Sequence, residues 1–196
     1  MSARNQIYSL EEYLALEEVS EDRHEFYRGE IFQVAGNSVQ HSRITRNLLV
    51  QLALQLRGKT CEPFGCNQRI AVAEYPFHTY PDVSVICGKL VMDAIDKQAV
   101  TNPHTLLEVV SPSTEKYDRG QKFECYRKLD SLRGYILVAQ DQACAEVFVR
   151  KSRFEWLLTA YQGLDAVVDL TDIGCRLTMT DTYEGVEFRE DEERSR

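Results

Sequence analysis

Two acidic residues near the middle of the chain have the types and spacing needed to hold a metal ion. Asp82 follows a proline at the start of an apolar segment, and Glu108 interrupts the otherwise apolar run over residues 105–110. Such a run is typical of a strand buried on both faces, where a carboxylate must be paired, hydrogen-bonded or bound to a cation. Two acids that enter a sheet from neighbouring strands would form a site for a hard divalent ion.

A lysine follows these acids on a predicted helix. Asp118, Lys122 and Tyr126 are spaced four residues apart, so they share one stripe of a helix predicted over residues 118–129. From the start of that helix, Lys122 can reach back over the strand end that holds Glu108. The alternative is an Asp118–Lys122 ion pair on the surface, which the helix by itself favours and which would contribute little to stability.

Helices and strands alternate around these residues. A capping-box pattern at Ser9 predicts a short helix that ends near Glu18, and Asn37 or Ser38 caps a longer helix that ends near Arg57. Strands are predicted at 24–27, 30–34, 60–64, 67–73, 80–87, 105–110, 135–139, 145–151 and 154–161. This order predicts an α/β or mixed α+β fold with helices on the faces of a sheet, and it argues against a β-sandwich or a helical bundle.

Length and composition are those of an ordinary globular domain. The chain has 196 residues, of which 43% are hydrophobic and 28% are charged. A chain of this length can bury a core without disulfides or metal ions. We predict a single domain over residues 1–186 and an acidic, mobile tail over residues 187–196. No apolar run approaches the roughly 20 residues of a membrane-spanning helix, and the first residues do not resemble a signal peptide, so a cytoplasmic protein is expected.

The cysteines are expected to be reduced. They are scattered along the chain, and the one close pair, Cys61 and Cys66, has neither a second pair nor histidines at zinc-finger spacing. We therefore predict six free thiols, most of them buried as small apolar side chains. The six are Cys61, Cys66, Cys87, Cys125, Cys144 and Cys175.

The charge of the chain is unevenly distributed. The formal net charge is −8, but residues 11–30 alone hold eight acids against two arginines. Residues 39–70 and 116–133 both have an excess of basic side chains. A polyanionic partner is therefore compatible with the sequence, although solvated helix faces would give the same pattern.

Five segments of the sequence together resemble a known family. They are residues 24–30 (HEFYRGE), 36–38 (GNS), 80–83 (YPDV), 107–114 (LEVVSPST) and 117–126 (YDRGQKFECY). In this combination the chain resembles, from about Tyr8 to Tyr183, the bacterial “putative restriction endonuclease” family often called Uma-two. That family is a branch of the PD-(D/E)XK nuclease superfamily. The resemblance implies a restriction-endonuclease-like core, with helices flanking a central mixed β-sheet.

The resemblance also implies a metal-dependent endonuclease that acts on nucleic acid, with DNA as the expected substrate. Asp82 and Glu108 match the two acidic metal ligands of the superfamily, and the main-chain carbonyl of Val109 would complete the protein's share of the ligands. The expected ion is Mg²⁺, with Mn²⁺ as a substitute.

One departure from the superfamily pattern concerns the lysine. Its usual position is occupied by Val110, so the resemblance assigns the cationic role to Lys122 on the following helix. Glu25 matches an acid near the family's N-terminus and is given a supporting role at the metal or the water. His41 also matches, and we expect it to be a hydrogen-bonded structural histidine.

Two alternatives to catalysis stay open at this stage. The chain could be a nucleic-acid-binding or interaction protein on a nuclease scaffold, which the acidic N-terminal third favours. The acids and Lys122 could also form a purely structural ion network.

A homodimer is also predicted, because a nuclease that cuts both strands commonly works with two-fold symmetry. The segment over residues 135–161 contains Phe148, Phe154, Trp156 and Leu158. These residues either supply an apolar pairing surface or belong to the core.

Overall fold

The computed structural model describes residues 6–34, 38–73 and 75–188. Its helices are α1 (Leu10–Val19), α2 (Val39–Leu56), α3 (Glu115–Tyr117), a π-helical turn (Asp118–Lys122), α4 (Phe123–Tyr126), a 3₁₀ turn (Thr171–Ile173) and α5 (Met179–Thr182). Its strands are β1 (His24–Tyr27), β2 (Glu30–Gln33), β3 (Cys61–Gly65), β4 (Arg69–Val72), β5 (Phe77–Thr79), β6 (Val83–Cys87), β7 (Ala99–Val100), β8 (Pro103–Val110), β9 (Gly134–Ala139), β10 (Cys144–Arg150), β11 (Trp156–Gln162), β12 (Val167–Leu170) and β13 (Cys175–Thr178). Residues 189–196 of the predicted tail, together with Gly36 and Asn37 of the sequence motif, lie outside the described residues.

A mixed six-stranded sheet forms the centre of the fold, in the order β11-β10-β9-β8-β6-β3. Its strand pairs are antiparallel except for β8 and β9, which are parallel. The helical segment from α3 to α4 connects these two strands, as parallel neighbours require a crossover. The predicted mixed sheet with flanking helices is confirmed.

Helix α2 covers one face of this sheet. The side chain of Ser38 caps the helix by accepting a hydrogen bond from the backbone N–H of His41. Its apolar stripe is fully or almost fully buried against β6, β8 and β9. The stripe consists of Ile44, Leu48, Leu52 and Leu56.

The alternation of β8 sends its side chains to two different cores. Leu107 and Val109 pack in the cluster with α2, whereas Leu106 and Val110 pack with α4 on the opposite face. Because successive side chains of a strand alternate, Glu108 shares the face of Leu106 and Val110. It therefore points towards the helical segment that carries Lys122.

A second, five-stranded sheet has the order β2-β1-β5-β4-β7 and begins with the β1–β2 hairpin. Arg28 and Gly29 form its turn with φ angles of 50° and 90°, the combination that a tight hairpin turn requires. The positive φ at Gly29 favours glycine, and a Cβ atom there would also lie 2.6 Å from the Ile7 side chain and 3.3 Å from the Tyr8 carbonyl oxygen. Tyr13 of α1 stacks on Phe26 of the hairpin with a centroid separation of 5.1 Å.

A buried polar network holds the segment that leads to Asp82. The Arg69 guanidinium contacts Glu17 Oε2 at 3.2 Å and Asp96 Oδ2 at 2.6 Å, and its Nε donates to Tyr80 Oη at 2.7 Å. Burial acts to raise the pKa of Asp96, but the hydrogen bonds from His78 and Arg69 outweigh it and lower that pKa to about 2. The network ties α1 and the loop after β6 to the residues just before Asp82.

The prediction of six free thiols is wrong for Cys61 and Cys87, which form a disulfide bond. The two residues lie directly opposite each other on the antiparallel strands β3 and β6. Their separation of 26 residues in sequence gives no sign of this proximity, which arises from the strand register. The other four cysteines are free, and Cys125 and Cys175 are buried as expected.

The aromatic residues of the β9–β11 meander have two different environments. Phe148 and Trp156 contact Phe123 with centroid separations of 4.7 and 5.2 Å, so they are partly buried against the core. Phe154 is 88% exposed and Leu158 is 47% exposed. Of these four residues, Phe154 and Leu158 are therefore the ones exposed enough to contribute to a dimer surface.

The C-terminal elements β12, β13 and α5 were not predicted. They lie against α2, where Asn47 Nδ2 donates to the carbonyl of Thr182 at 3.1 Å and Gln51 Nε2 donates to Thr182 Oγ1 at 3.0 Å. Leu170, Leu177 and other side chains of these elements extend the core beneath α2. Among the described helices, none has the length and apolar character needed to cross a membrane.

Candidate functional site

A cleft of about 980 Å³ opens between the β1–β2 hairpin, the start of α2 and the ends of β8 and β9. The carboxyl ends of parallel strands are where α/β sheets commonly bind their ligands. The cleft is lined by Glu25, Asp82, Glu108, Val109 and Lys122. The fold therefore brings together, at one edge of the central sheet, all five residues singled out in the sequence.

Asp82, directly before β6, and Glu108, near the end of β8, lie across from each other. They are one step beyond the Val83–Leu107 pair of the ladder. The backbone N–H of Asp82 is 3.4 Å from Glu108 Oε2, and the backbone N–H of Val109 donates to Asp82 Oδ2 at 2.8 Å. The two carboxylates are thus held next to each other by the backbone of the opposite strand.

Lys122 faces these acids from the crossover segment. Its Nζ lies 3.1 Å from Glu108 Oε1, 3.1 Å from Glu25 Oε1 and 3.6 Å from Asp118 Oδ1. Lys122 is only 6% exposed and Asp118 only 5% exposed. The alternative of a surface Asp118–Lys122 pair is therefore wrong, because both charges are buried in the cleft wall.

The crossover segment differs from the predicted α-helix. It begins at Glu115, ends at Tyr126 and contains a π-helical turn over Asp118–Lys122. Such turns are rare and occur often at functional sites. Here the turn contains Asp118 and Lys122, which form an ion cluster with Glu25 and Glu108. Helix α4 continues to Tyr126, whose hydroxyl donates to Glu108 Oε1 at 2.9 Å.

Glu25 reaches the site from the hairpin of the second sheet. One of its oxygens, Oε1, contacts Lys122 and accepts a hydrogen bond from the Thr79 hydroxyl. The other, Oε2, accepts a hydrogen bond from the Tyr117 hydroxyl at 3.0 Å. With both oxygens bonded to the protein, Glu25 is placed to hold Lys122.

His41 lies at the site, although the sequence suggested a purely structural role. Its Nε2 is 3.1 Å from Asp82 Oδ2, and its Nδ1 is 3.4 Å from the Thr45 hydroxyl. The tautomer with the proton on Nε2 donates to Asp82. His41 is hydrogen-bonded, as expected, and it also restrains the carboxylate of Asp82.

Carboxylates outnumber cationic groups at the site. Burial raises the pKa of Glu108, the ammonium of Lys122 opposes this rise, and Asp118, Asp82 and Glu25 add to it. Burial also raises the pKa of Asp118. For Lys122, burial acts to lower the pKa, but Glu108 and Glu25 outweigh it and keep the pKa well above its usual value. Lys122 is therefore charged, and the surplus of carboxylates favours an added proton or cation.

The donor set of the site fits a magnesium ion. Among the described residues, no three or more His, Cys, Asp and Glu side chains converge on a common metal position. Mg²⁺ is usually bound through one or two carboxylates, with water and phosphate as the other ligands. Asp82 Oδ1 accepts no hydrogen bond from the described residues, and Glu108 Oε2 has only the 3.4 Å contact with the Asp82 N–H. Each acid thus keeps one oxygen for an ion.

Family comparison identifies the chain. A family model named Uma2 and described as “Putative restriction endonuclease” matches residues 10–180. The chain belongs to the Uma2 family. The matched region includes the five residues of the cleft, and the resemblance inferred from the sequence motifs is confirmed.

Relatives and solved structures agree with this assignment. Two uncharacterized proteins of Synechocystis sp. are similar to this chain over most of their length. One, slr1290, is 34% identical over 92% of this chain and 93% of its own length. The other, sll1609, is 36% identical over 86% of this chain and 96% of its own length. The crystal structure of a putative nuclease belonging to DUF820 from Anabaena variabilis has a TM-score of 0.73 at 17% identity, over 91% of this chain and 99% of that one. The fold of this Uma2 protein is thus that of the solved nuclease-like structure.

Four of the site's side chains were missed or misjudged in the sequence. Tyr126 and Asp118 were placed on the stripe of Lys122, which was the correct signal, but no role was inferred for Tyr126 and only a surface ion pair with Lys122 was considered for Asp118. Tyr117 lies in the motif over residues 117–126 and had no other signal. Thr79 had none at all, because its contact with Glu25 joins residues 54 positions apart.

Proposed function

We propose that this Uma2 protein is a metal-dependent endonuclease that hydrolyses phosphodiester bonds of nucleic acid, with DNA as the expected substrate. The observation that carries the proposal is the buried contact of the Lys122 ammonium with Glu108, directly beside Asp82. Removing charges from water is costly, and a surplus of buried carboxylates makes it more so. Clusters of this kind, with perturbed pKa values in a cleft, are typical of functional sites.

Asp82 and Glu108 are the residues that would hold Mg²⁺ or Mn²⁺. When bound there, the ion would neutralise a phosphate oxygen and make a bound water more acidic. The main-chain carbonyl of Val109 stays a predicted third ligand. Its N–H already fixes Asp82, and Tyr126 fixes Glu108, so both acids are oriented before any ion binds.

Lys122 acts in this proposal as a cation and not as a base. Its pKa lies well above the usual value, so the ammonium keeps its protons at neutral pH. A fixed positive charge in a water-poor site stabilises negative charge that develops on the phosphate, and its N–H groups can orient the attacking water. Glu25 is a positioning residue, since its contacts hold Lys122 at the site.

Cleavage assays with labelled nucleic acids test the proposal. Oligonucleotides and a plasmid would be incubated with the full chain in Mg²⁺, in Mn²⁺ and in EDTA. Cleavage is expected in either metal ion, with loss of activity in Asp82→Asn and Glu108→Gln. In Lys122→Met the rate is expected to fall about 100-fold or more, which is typical for the loss of one transition-state donor.

The matched control is Glu155→Gln, because Glu155 is exposed on the far hairpin and outside the cleft. This variant should cleave like the wild type. Equal activity of the wild type and Asp82→Asn would contradict the proposal, as would cleavage that persists in EDTA. The predicted homodimer is checked by sedimentation of the same samples, and the cytoplasmic location stays a prediction.

A further inference from the structure

The cleft beside the ion cluster contains an exposed aromatic side chain that the chemistry described above does not use. Phe32 of β2 is 43% exposed and lines the cleft. In the hairpin register it lies opposite Glu25, and side chains of such pairs are about 4.5–5.5 Å apart at their Cβ atoms. Phe32 is therefore a direct neighbour of the residue that contacts Lys122.

Phe32 belongs to the face of the hairpin that borders the cleft. The same face contributes Glu25, Tyr27 and Glu30, whereas Phe26 on the opposite face packs on α1. Tyr27 already contacts Phe77 edge-on and has the Arg28 guanidinium over its ring. Within the described residues, Phe32 takes part in none of the ring–ring or cation–ring contacts, and it is 43% exposed, so part of its ring is open to a stacking base.

The charges of the cleft argue against a duplex as its ligand. Among the described lining residues, Arg23 and Lys122 are the lysine or arginine side chains, against seven acids. Arg23 donates to the carbonyl of Cys66, and Lys122 is engaged by Glu25 and Glu108. Binding to duplex DNA depends on many Lys and Arg contacts with phosphates. Binding to a single strand also uses cationic side chains, but the stacking of bases on aromatic rings adds a contribution that does not depend on charge.

We infer that the substrate of this site is an unpaired stretch of nucleic acid, one base of which stacks on Phe32 beside the scissile phosphate. The inference rests on the proposed nuclease function and adds its substrate class. A cleft of about 980 Å³ is at the upper end of the range of small-ligand pockets, which suits a few nucleotides of one strand. Phe32 is then a specificity-determining residue.

Fluorescence anisotropy with the full chain tests this inference without requiring cleavage. The probes are a labelled 20-nucleotide DNA, the RNA of the same sequence and the corresponding DNA duplex, each in millimolar Ca²⁺ as a divalent counter-ion. The single strands are expected to bind at least tenfold more tightly than the duplex, and the DNA and RNA arms distinguish the two sources of unpaired nucleotides. With at most two cations in the cleft to meet phosphates, the slope of log K against log salt for the single strand should be no steeper than about −1.4.

Substitutions of Phe32 separate stacking from simple hydrophobic contact. Phe32→Ala and Phe32→Leu are expected to weaken single-strand binding about 5- to 150-fold, the range for loss of one stacked base. Phe32→Trp should restore it, and Phe154→Ala, which removes an exposed phenylalanine outside the cleft, should leave it unchanged. Melting curves of the variants verify the fold, since Phe32 contributes little to the core.

The outcomes distinguish the inference from the nuclease proposal. Duplex binding as tight as single-strand binding, unchanged binding in Phe32→Ala, or binding of none of the three probes would overturn the inference. If the single strands bind through Phe32 but are not cleaved in Mg²⁺ or Mn²⁺, the substrate class stands and the nuclease proposal fails. If duplex DNA is cleaved in metal ions and its binding does not depend on Phe32, the nuclease proposal stands and the inference about the substrate class fails.

Discussion

Replacing Glu108 by glutamine should stabilise the metal-free protein and remove its response to metal. In the structure, Glu108 Oε1 accepts from Lys122 and Tyr126, and a glutamine carbonyl can accept from both in the same way. Burial and the neighbouring carboxyls make the ionised form of Glu108 unfavourable, as its raised pKa shows. The amide removes that charge and keeps the shape of the side chain, and its NH₂ gives up only the long 3.4 Å contact between Oε2 and the Asp82 N–H.

The size of the effect follows from linkage. Because each tenfold change in proton affinity corresponds to about 1.4 kcal/mol, Glu108→Gln should raise the free energy of unfolding at neutral pH by about 1–3 kcal/mol. For a chain of this length that is about 2–4 °C in Tm per kcal/mol. Wild-type protein should gain about 2.7 kcal/mol at a hundredfold excess of Mg²⁺ over its Kd, whereas the variant should gain almost nothing.

The pH dependence has a defined sign. Since the pKa of Glu108 is raised in the folded state, the folded protein binds more protons than the unfolded chain above about pH 4.3. The metal-free wild type should therefore lose stability as pH rises through the interval up to the folded pKa, and the variant should lose less. Metal affinity should increase over the same interval, because the ion needs deprotonated carboxylates.

Thermal melts in EDTA and in millimolar Mg²⁺ or Mn²⁺, between pH 6 and 8.5, would measure these differences. Glu155→Gln is the matched control, since it removes an exposed carboxylate and should keep both the wild-type Tm and its metal response. A Glu108→Gln variant that is strongly destabilised in EDTA, or that keeps the full shift in metal, would refute the reasoning.

Other parts of the fold give predictions of their own. The partners of Asp96 lower its pKa to about 2, so its ionised carboxylate should contribute about 2 kcal/mol to the free energy of unfolding. This contribution should be lost as pH falls from about 4 to 2. In acid denaturation, Asp96→Asn should show a smaller loss of stability over that interval. Leu52→Ala, at a fully buried position of α2, should lower the free energy of unfolding by about 2–5 kcal/mol in urea titrations, with little change in cleft chemistry. The Cys61–Cys87 bond closes a loop with a separation of 26 residues, so dithiothreitol should destabilise the protein by about 3–4 kcal/mol, and alkylation of the unfolded, unreduced chain should label four thiols rather than six.

Much of the site was determined by local sequence. Three signals are local: the single acid at Glu108 within an apolar run, the proline before Asp82 and the helical spacing of Lys122. Each can be recognised within about ten residues, because strand and helix periodicity decide which way a side chain points. The same holds for the apolar stripe of α2 and for the turn at Gly29. The strands, the hairpin and α2 formed close to their predicted bounds, whereas the helical segment of Lys122 begins three residues earlier, ends three residues earlier and contains a π-helical turn.

Only the tertiary structure decided which distant residues meet. Strand register and the packing of α2 against the sheet decide three such contacts. They are the disulfide between Cys61 and Cys87, the contact of His41 with Asp82, and the restraint of Glu25 by Thr79 and other partners. A period of two or 3.6 residues gives the direction of a side chain but not the partner it reaches. The burial of Lys122, and with it the charge balance of the cleft, follows from that packing, because the second sheet closes over a helix face that would be exposed on its own.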